Sequence, residues 1–287
     1  MRKNPRRRTR RILSRVIAWR ALVYALALIW VVITIYPLVF LVQNSLKTQA
    51  QFFVGDVWSL PHTLFLGNYL RVWQNHFPLF LWNSVFVVGV SLVILMLAGS
   101  LAAFGLSRIR FRLRGFFYYL FIGGLTIPVH ITLIPVYIIT RQIHIYDTLA
   151  ALVGPFVAFN LPVAVFILAA FMAEIPLSLE EAGYMDGANR FQVFRSIVLP
   201  MSRPAVTAVG IYNAVILWNE FIFPLVLINT QSKRPLTLAL WNFQGEFSAD
   251  VPAMMAALLL SVVPLLILYA IAKERLIEGL VSGAVKG

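Results

Sequence analysis

Cysteine is absent from the chain. That removes thiolate nucleophiles, cysteine-ligated metal sites and any disulfide framework. Charge is scarce as well: Asp, Glu, Lys and Arg together make 12% of the residues, where a soluble domain carries about a quarter. Acids are the scarcer sign, 11 against 24 Lys and Arg, for a net charge of +13. With 16 Gly and 15 Pro among 287 residues, collagen-like and disordered low-complexity chains are excluded too. No G-x-x-x-x-G-K-[ST] run occurs, so the chain is not expected to hydrolyse ATP itself. His62, His76, His130 and His144 lack metal-ligand spacing, and no metal or other cofactor is expected.

What the chain does have is apolar length. Hydrophobic residues make 60% of it and the mean hydropathy is +0.84. A soluble fold of this size could not bury so much, which leaves a polytopic membrane protein. Uncharged stretches cover 21–46, 72–107, 115–140, 148–173 and 251–272, and 204–232 holds the single charge Glu220. Each exceeds the ~20 residues an α-helix needs to cross hydrocarbon. The reading is an all-α protein with six transmembrane helices, at about 21–43, 80–106, 116–139, 149–173, 204–229 and 252–272. Alternation with period two over ~10-residue segments is missing, which disfavours a β-barrel.

Lys and Arg divide 19 to 5 between the two sets of helix ends. By the positive-inside rule both termini then lie in the cytoplasm, and 44–79, 140–148 and 230–251 lie outside. The basic arm 1–20 sits directly before a membrane helix, where it sets topology and attracts anionic lipid, so a bilayer rather than a nucleic acid is its expected partner. The remainder, 21–287, reads as one transmembrane domain. Trp19, Trp73, Trp82 and Trp241 fall near the expected interfaces.

The connection at 174–203 is longer than the others and patterned. Ser178 and Glu181 form an S-x-x-E capping box, which predicts a helix from Leu179. Gly187 ends it, because glycine takes the left-handed cap without a Cβ penalty. Asn189 with Gln192 marks a second helix start, and Pro200 limits that helix. Phe191, Phe194, Ile197 and Val198 form an apolar stripe on it. A helix, a glycine hinge and a second helix thus project into the cytoplasm. The stripe needs a partner: the bundle ends, the lipid surface or another protein.

Polar residues inside the spans are the transport candidates. Glu220 is the one acid in an expected membrane interior, and an intramembrane carboxylate usually faces the bundle interior or a wet cavity. Trp218, Asn219 and Glu220 either line a translocation path or hold helices together by hydrogen bonds. Asn83, Asn160 and Asn213 read first as interhelical hydrogen-bonding groups, with Asn83 also a path candidate. Pro128, Pro135 and Pro155 are expected to kink their helices.

Glu181-Ala182-Gly183, three residues, Gly187, nine residues and Ile197-Val198-Leu199-Pro200 resemble the EAA loop of ABC-importer permeases. That pattern is E-A-A, x3, G, x9, I-x-L-P; only Gly183 departs, standing where alanine is usual. Other segments resemble the permeases of carbohydrate importers of the maltose-transporter type: Ile35-Tyr36-Pro37-Leu38 through Asn44-Ser45-Leu46-Lys47, Asn83-Ser84, Ile127-Pro128 through Pro135, Trp218-Asn219-Glu220-Phe221, and Glu278 to Gly287. The resemblance implies a subunit without catalysis, in a bacterial or archaeal cytoplasmic membrane. Its implied partners are a second permease, two copies of a cytoplasmic ATPase subunit and an extracytoplasmic solute-binding protein. It implies a sugar as solute, a di- or oligosaccharide ahead of glycerol phosphate. It also implies that the loop docks on the ATPase through Glu181, Ala182, Gly183, Asp186, Gly187, Ile197, Leu199 and Pro200. There Glu181 would face a basic residue of the ATPase, Gly187 would permit the turn, and Leu199-Pro200 would fix the exit into the fifth span.

Two other classes stand beside this one. A stand-alone secondary transporter usually shows internal repeats and ionisable coupling groups; the chain shows no repeat and one intramembrane acid. A membrane-embedded transferase would need paired acids, histidines or metal ligands near an interface, and the sequence supplies none.

Overall fold

The computed structural model describes residues 5–240 and 250–284, and every regular element among them is a helix. Trp241 and the chain ends at 1–4 and 285–287 lie outside the described residues. The chain divides into two units, residues 1–72 with 247–259 and residues 73–246 with 260–287.

The first unit is built on α1 (Pro5–Ser45). Its apolar stretch Trp19–Ser45 has none of its most hydrophobic window buried inside the chain. A helix apolar all round and uncovered by its own chain faces lipid or another subunit. Beyond it, α2 (Gln49–Val54) starts on a reciprocal Thr48–Gln51 capping box, and α3 (Gly67–Gln74) follows. Polar groups fold this segment back on the end of α1. Asn68 Nδ2 donates to the Ser45 and Lys47 carbonyls at 2.7 and 2.9 Å, and Ser45 Oγ meets the Tyr69 hydroxyl at 2.7 Å. Lys47, almost fully buried, donates to the carbonyls of Asp56 and Val57. Burial lowers its ammonium pKa, which Asp56 partly offsets. Arg71 pairs with Asp250, just before α13 (Val251–Ala284).

In the second unit α4 (Phe77–Arg108) and α7 (Ala150–Ala173) pack along their lengths. Between helices in lipid, close approach rests on small residues. A Cβ at Gly99 would stand 3.4 Å from that of Ala164. Leu95, Ala103, Leu168 and Met172 fill the seam above and below. The expected third span, 116–139, is instead two helices, α5 (Arg114–Thr126) and α6 (Val129–Gln142), bent by 104° where Ile127-Pro128 interrupts them. Pro128 lacks an N–H, and the residue before a proline is driven out of the helical region. Pro135 and Pro155 sit inside α6 and α7.

The expected fifth span, 204–229, is broken as well. Helix α11 (Arg203–Trp218) stops, and α12 (Ile222–Leu227) begins after three residues. Four described helices are long and apolar enough to cross a membrane, and the bent pair makes up to five.

Candidate functional site

The loop after α7 forms as two short helices on a hinge, but its caps differ from the expectation. Helix α8 (Leu177–Met185) begins directly after Pro176, and no side chain caps it. Ser178 is therefore not an N-cap, and the helix starts two residues before Leu179. Proline pre-sets the entry angle, so the serine is taken into the first turn.

The end of α8 follows expectation. Gly187 sits at φ +83°, its N–H donates to the Tyr184 carbonyl and that of Ala188 to Gly183. This is the paired hydrogen bonding of a Schellman motif, which needs a left-handed residue at this place. Asn189 and Gln192 then cap each other's backbone N–H at 2.7 and 2.9 Å and open α9 (Arg190–Val193).

Pro200 does not end this helix. A π turn, Phe194–Val198, carries the chain into α10 (Leu199–Met201), with the Leu199 N–H donating five residues back to Phe194. An α turn would set the proline ring against the carbonyl four residues earlier, and the wider turn relieves that. It also shifts the inward face. Val193, Phe194 and Val198 are buried and Ile197 partly so, whereas Phe191 is 60% exposed. Phe194 meets Phe104 of α4 with ring centroids 5.1 Å apart. The partner of the stripe is thus the end of the bundle.

The two loop helices touch through Gly183. A Cβ there would stand 2.7 Å from Ile197 Cδ1 and 3.5 Å from Val193 Cγ2. Glycine at this place therefore serves a close approach of α9 and its π turn.

Of the adjacent acids, Glu181 is exposed and Glu180 is buried. Glu180 Oε1 lies 3.0 Å from Arg108 Nε. Arg108 Nη2 also donates to the carbonyls of Met172 and Ile175, where α7 gives way to α8. One arginine at the end of α4 thus closes α7 and holds α8. Sequence reasoning assigned Arg108 to topology and gave Glu180 no role. The available signal was geometric: neighbouring helical residues point ~100° apart, so only one of two adjacent acids could face the bundle. The opposite face of α8 shows Glu181, Ala182 and Met185, the last 88% exposed, and Tyr184 is exposed at the flank. Asp186 and Gly187 are exposed, and Leu199 and Pro200 half-buried.

At the break in the fifth expected span, Trp218 is buried and ends α11. Asn219 is exposed and its amide donates back to the Val215 carbonyl. Glu220 Oε1 accepts the Ile222 and Phe223 N–H groups at 2.9 and 3.3 Å, capping α12. Its carboxylate thus bonds locally, at a helix start whose dipole favours an anion, rather than between helices. Asn83 is buried, and its Nδ2 donates to the carbonyls of Ser232 and Arg234 at 2.9 and 3.0 Å, while Ser84 Oγ accepts from Leu236 N–H. Asn160 and Asn213, expected to join helices, donate instead to carbonyls four residues back, at Phe156 and Val209. That acceptor lies within reach of a short side chain without any neighbour helix.

On the α6–α7 connection, Asp147 at φ +57° ties a second loop to the first. Its carboxylate accepts from the Asn229 and Thr230 N–H groups at 2.9 Å and from the Thr230 hydroxyl, with Lys233 Nζ 3.6 Å away. Burial pushes the acid up, but these donors and Lys233 outweigh it and hold the pKa at about 2. No cluster of three His, Cys, Asp or Glu suited to a metal occurs among the described residues.

Residues 95–280 match the family of binding-protein-dependent transport system inner membrane components. The chain belongs to this family. An ABC transporter permease protein named in Caldicellulosiruptor sp. (strain Rt8B.4) is 45% identical over 90% of the permease and 94% of its own length. The diacetylchitobiose uptake system permease of Streptomyces coelicolor is 34% identical over 91% of the permease and 87% of its own length. A crystal structure of a bacterial ABC transporter that imports the acidic polysaccharide alginate matches the fold with a TM-score of 0.77 at 24% identity, covering 93% of the permease and 97% of that chain. The permease is thus a transport component of an ABC importer, and the loop 174–203 falls wholly inside the family match.

Proposed function

We propose that this permease forms, with a second permease subunit, the membrane path of a sugar importer of a bacterial or archaeal cytoplasmic membrane. Two cytoplasmic ATPase subunits drive it and an external binding protein delivers a di- or oligosaccharide. The names of relatives, diacetylchitobiose uptake among them, support the sugar. The 19 to 5 division of Lys and Arg supports cytoplasmic termini and a cytoplasmic loop at 174–203. Six crossings follow if α5 with α6 and α11 with α12 each make one, within a single permease domain beyond the basic arm.

One observation carries the coupling role. Helix α8 is fixed on one face by Arg108–Glu180 and Gly183–Ile197, and on the other shows Glu181, Ala182 and Met185 exposed among the described residues. A short helix held from behind and uncovered in front is suited to rigid-body transmission. In this reading Glu181 meets a basic residue of the ATPase, and Asn219 and Glu220 face the solute where α11 breaks, with Trp218 supporting that break and Asn83 holding the segment 232–234 beyond it.

Cross-linking tests the docking, and the lack of native cysteine makes it clean. A Glu181→Cys permease should cross-link to single cysteines on the ATPase, and Glu181→Lys should abolish solute uptake while the permease pair still assembles. Uptake that survives Glu181→Lys and ATP depletion would overturn the proposal. Uptake of labelled disaccharide but not glycerol phosphate settles the solute class.

A further inference from the structure

A groove of about 250 Å³ runs between α5 and α7. Its sides are Tyr118, Ile122 and Leu125 from one helix and Pro162, Phe166 and Ala170 from the other, each set recurring along a single helix face. Only one end is strongly polar. Arg114, the first residue of α5, and Ser107, on the last turn of α4, stand at its mouth.

The groove has the dimensions of one lipid leaflet. From Arg114 to Leu125 the helix rises about 16 Å at ~1.5 Å per residue, and half of a ~30 Å hydrocarbon core is about 15 Å. Its charge also selects. Arg110, Arg112 and Arg114 are exposed and have no ion-pair partner among the described residues, because Glu180 pairs with Arg108 instead. Against these three stands one acid at the adjoining end of α7, Glu174. A sugar fits poorly, since its hydroxyls would meet apolar walls along most of the length. An uncharged acyl chain below and an anion above match the lining throughout.

We propose that this groove binds one anionic phospholipid of the cytoplasmic leaflet, its acyl chain along α5 and α7 and its phosphate at Arg114. The proposal rests on the reading, from the 19 to 5 division of Lys and Arg, that residues 109–113 lie in the cytoplasm. Basic residues beside membrane helices attract anionic headgroups, and an apolar slot turns that attraction into a site.

The test uses the assembled importer, reconstituted in vesicles of phosphatidylglycerol and phosphatidylethanolamine, extracted and weighed by native mass spectrometry. Wild type should retain phosphatidylglycerol in preference to phosphatidylethanolamine. Arg114→Gln should cut that preference about fivefold, the equivalent of the ~1 kcal/mol one basic residue contributes near an anionic surface. Ala170→Phe should fill the groove and lose the bound lipid of either kind, while Ala170→Ser, nearly unchanged in volume, should keep it. ATPase association reports folding in every variant. Equal lipid retention by wild type, Arg114→Gln and folded Ala170→Phe would overturn the site. So would displacement of the bound species by inorganic phosphate, or loss of solute uptake in Ala170→Phe with lipid still bound. Labelling of Arg112→Cys from one side or the other reads the topology separately, so an error there is told apart from an error about the site.

Discussion

Arg108 Nε lies 3.0 Å from Glu180 Oε1, with both side chains more than nine-tenths buried. The two residues stand 72 positions apart in the chain, and their contact makes α8 part of the bundle rather than an appendage. Breaking a buried ion pair from one side leaves a lone charge and costs about 3–5 kcal/mol. Glu180→Gln and Arg108→Gln are expected to lower the thermal midpoint followed by tryptophan fluorescence, and Glu180→Met with Arg108→Met to recover part of the loss. Recovery stays partial because the Met172 and Ile175 carbonyls lose the guanidinium as a donor. Single variants as stable as wild type would show that the pair holds nothing.

The hinge separates two glycines by mechanism. Gly187 at φ +83° has open space where a Cβ would go, so Gly187→Ala carries only backbone strain, about 1–2 kcal/mol, and Gly187→Asn less. Gly183 has an ordinary backbone but little room. Gly183→Ala should be tolerated because Ile197 Cδ1 is the free end of a side chain, while Gly183→Val should cost about 1–3 kcal/mol by overpacking. Unfolding midpoints of the four variants check the order; equal effects of Gly183→Val and Gly183→Ala would contradict it.

Asp147 gives a pH dependence. Its carboxyl is held at about 2, below the ordinary 3.8, so its contribution to stability is complete at neutral pH, begins to fade near pH ~4 and is lost as pH falls through about 2. The stability gap between wild type and Asp147→Asn should be constant from neutral to mildly acid pH and close across that window. A gap that persists unchanged at pH ~2 would assign the strap to something other than the ionised carboxylate.

Asn83 and Asn219 should separate support from contact. Asn83→Ala strips a donor from two carbonyls, at about 1–3 kcal/mol for polar groups left unsatisfied, and should lower the unfolding midpoint with little change in the apparent KM for solute. Asn219→Ala, at an exposed position, should do the reverse. Transport kinetics beside thermal unfolding decide it, and a KM effect confined to Asn83→Ala would invert the assignment.

The helical class, the apolar stretches and the hinge at Gly187 were legible because each rests on local chemistry: uncharged length, a left-handed cap, a reciprocal Asn189–Gln192 box. What escaped depends on partners distant in sequence or on backbone outside the α-helix. Ser178 looked like a cap because its spacing to Glu181 is right, yet Pro176 already starts the helix. Pro200 looked like a stop because the rule assumes α geometry, which the π turn evades. The span expected at 204–229 is apolar on both sides of Asn219-Glu220, and hydropathy averaged over that length does not distinguish one long helix from two short ones capped by Glu220. Glu180 was hidden by its neighbour, since motif spacing marks which acid belongs to the pattern and says nothing of which one turns inward.

The corner at Ile127-Pro128 has a consequence for the bilayer itself. Helix α5 ends there with its last carbonyls outside any helical ladder, and Thr126 Oγ1 supplies a donor only to Gly123. Hydrocarbon offers such oxygens nothing. On the six-crossing reading proposed above, acyl tails reach along α5 as far as the corner, and beyond it the backbone must be wetted or sheathed by a neighbouring subunit. A fold in the main chain, and not a ring of polar side chains, draws that shoreline.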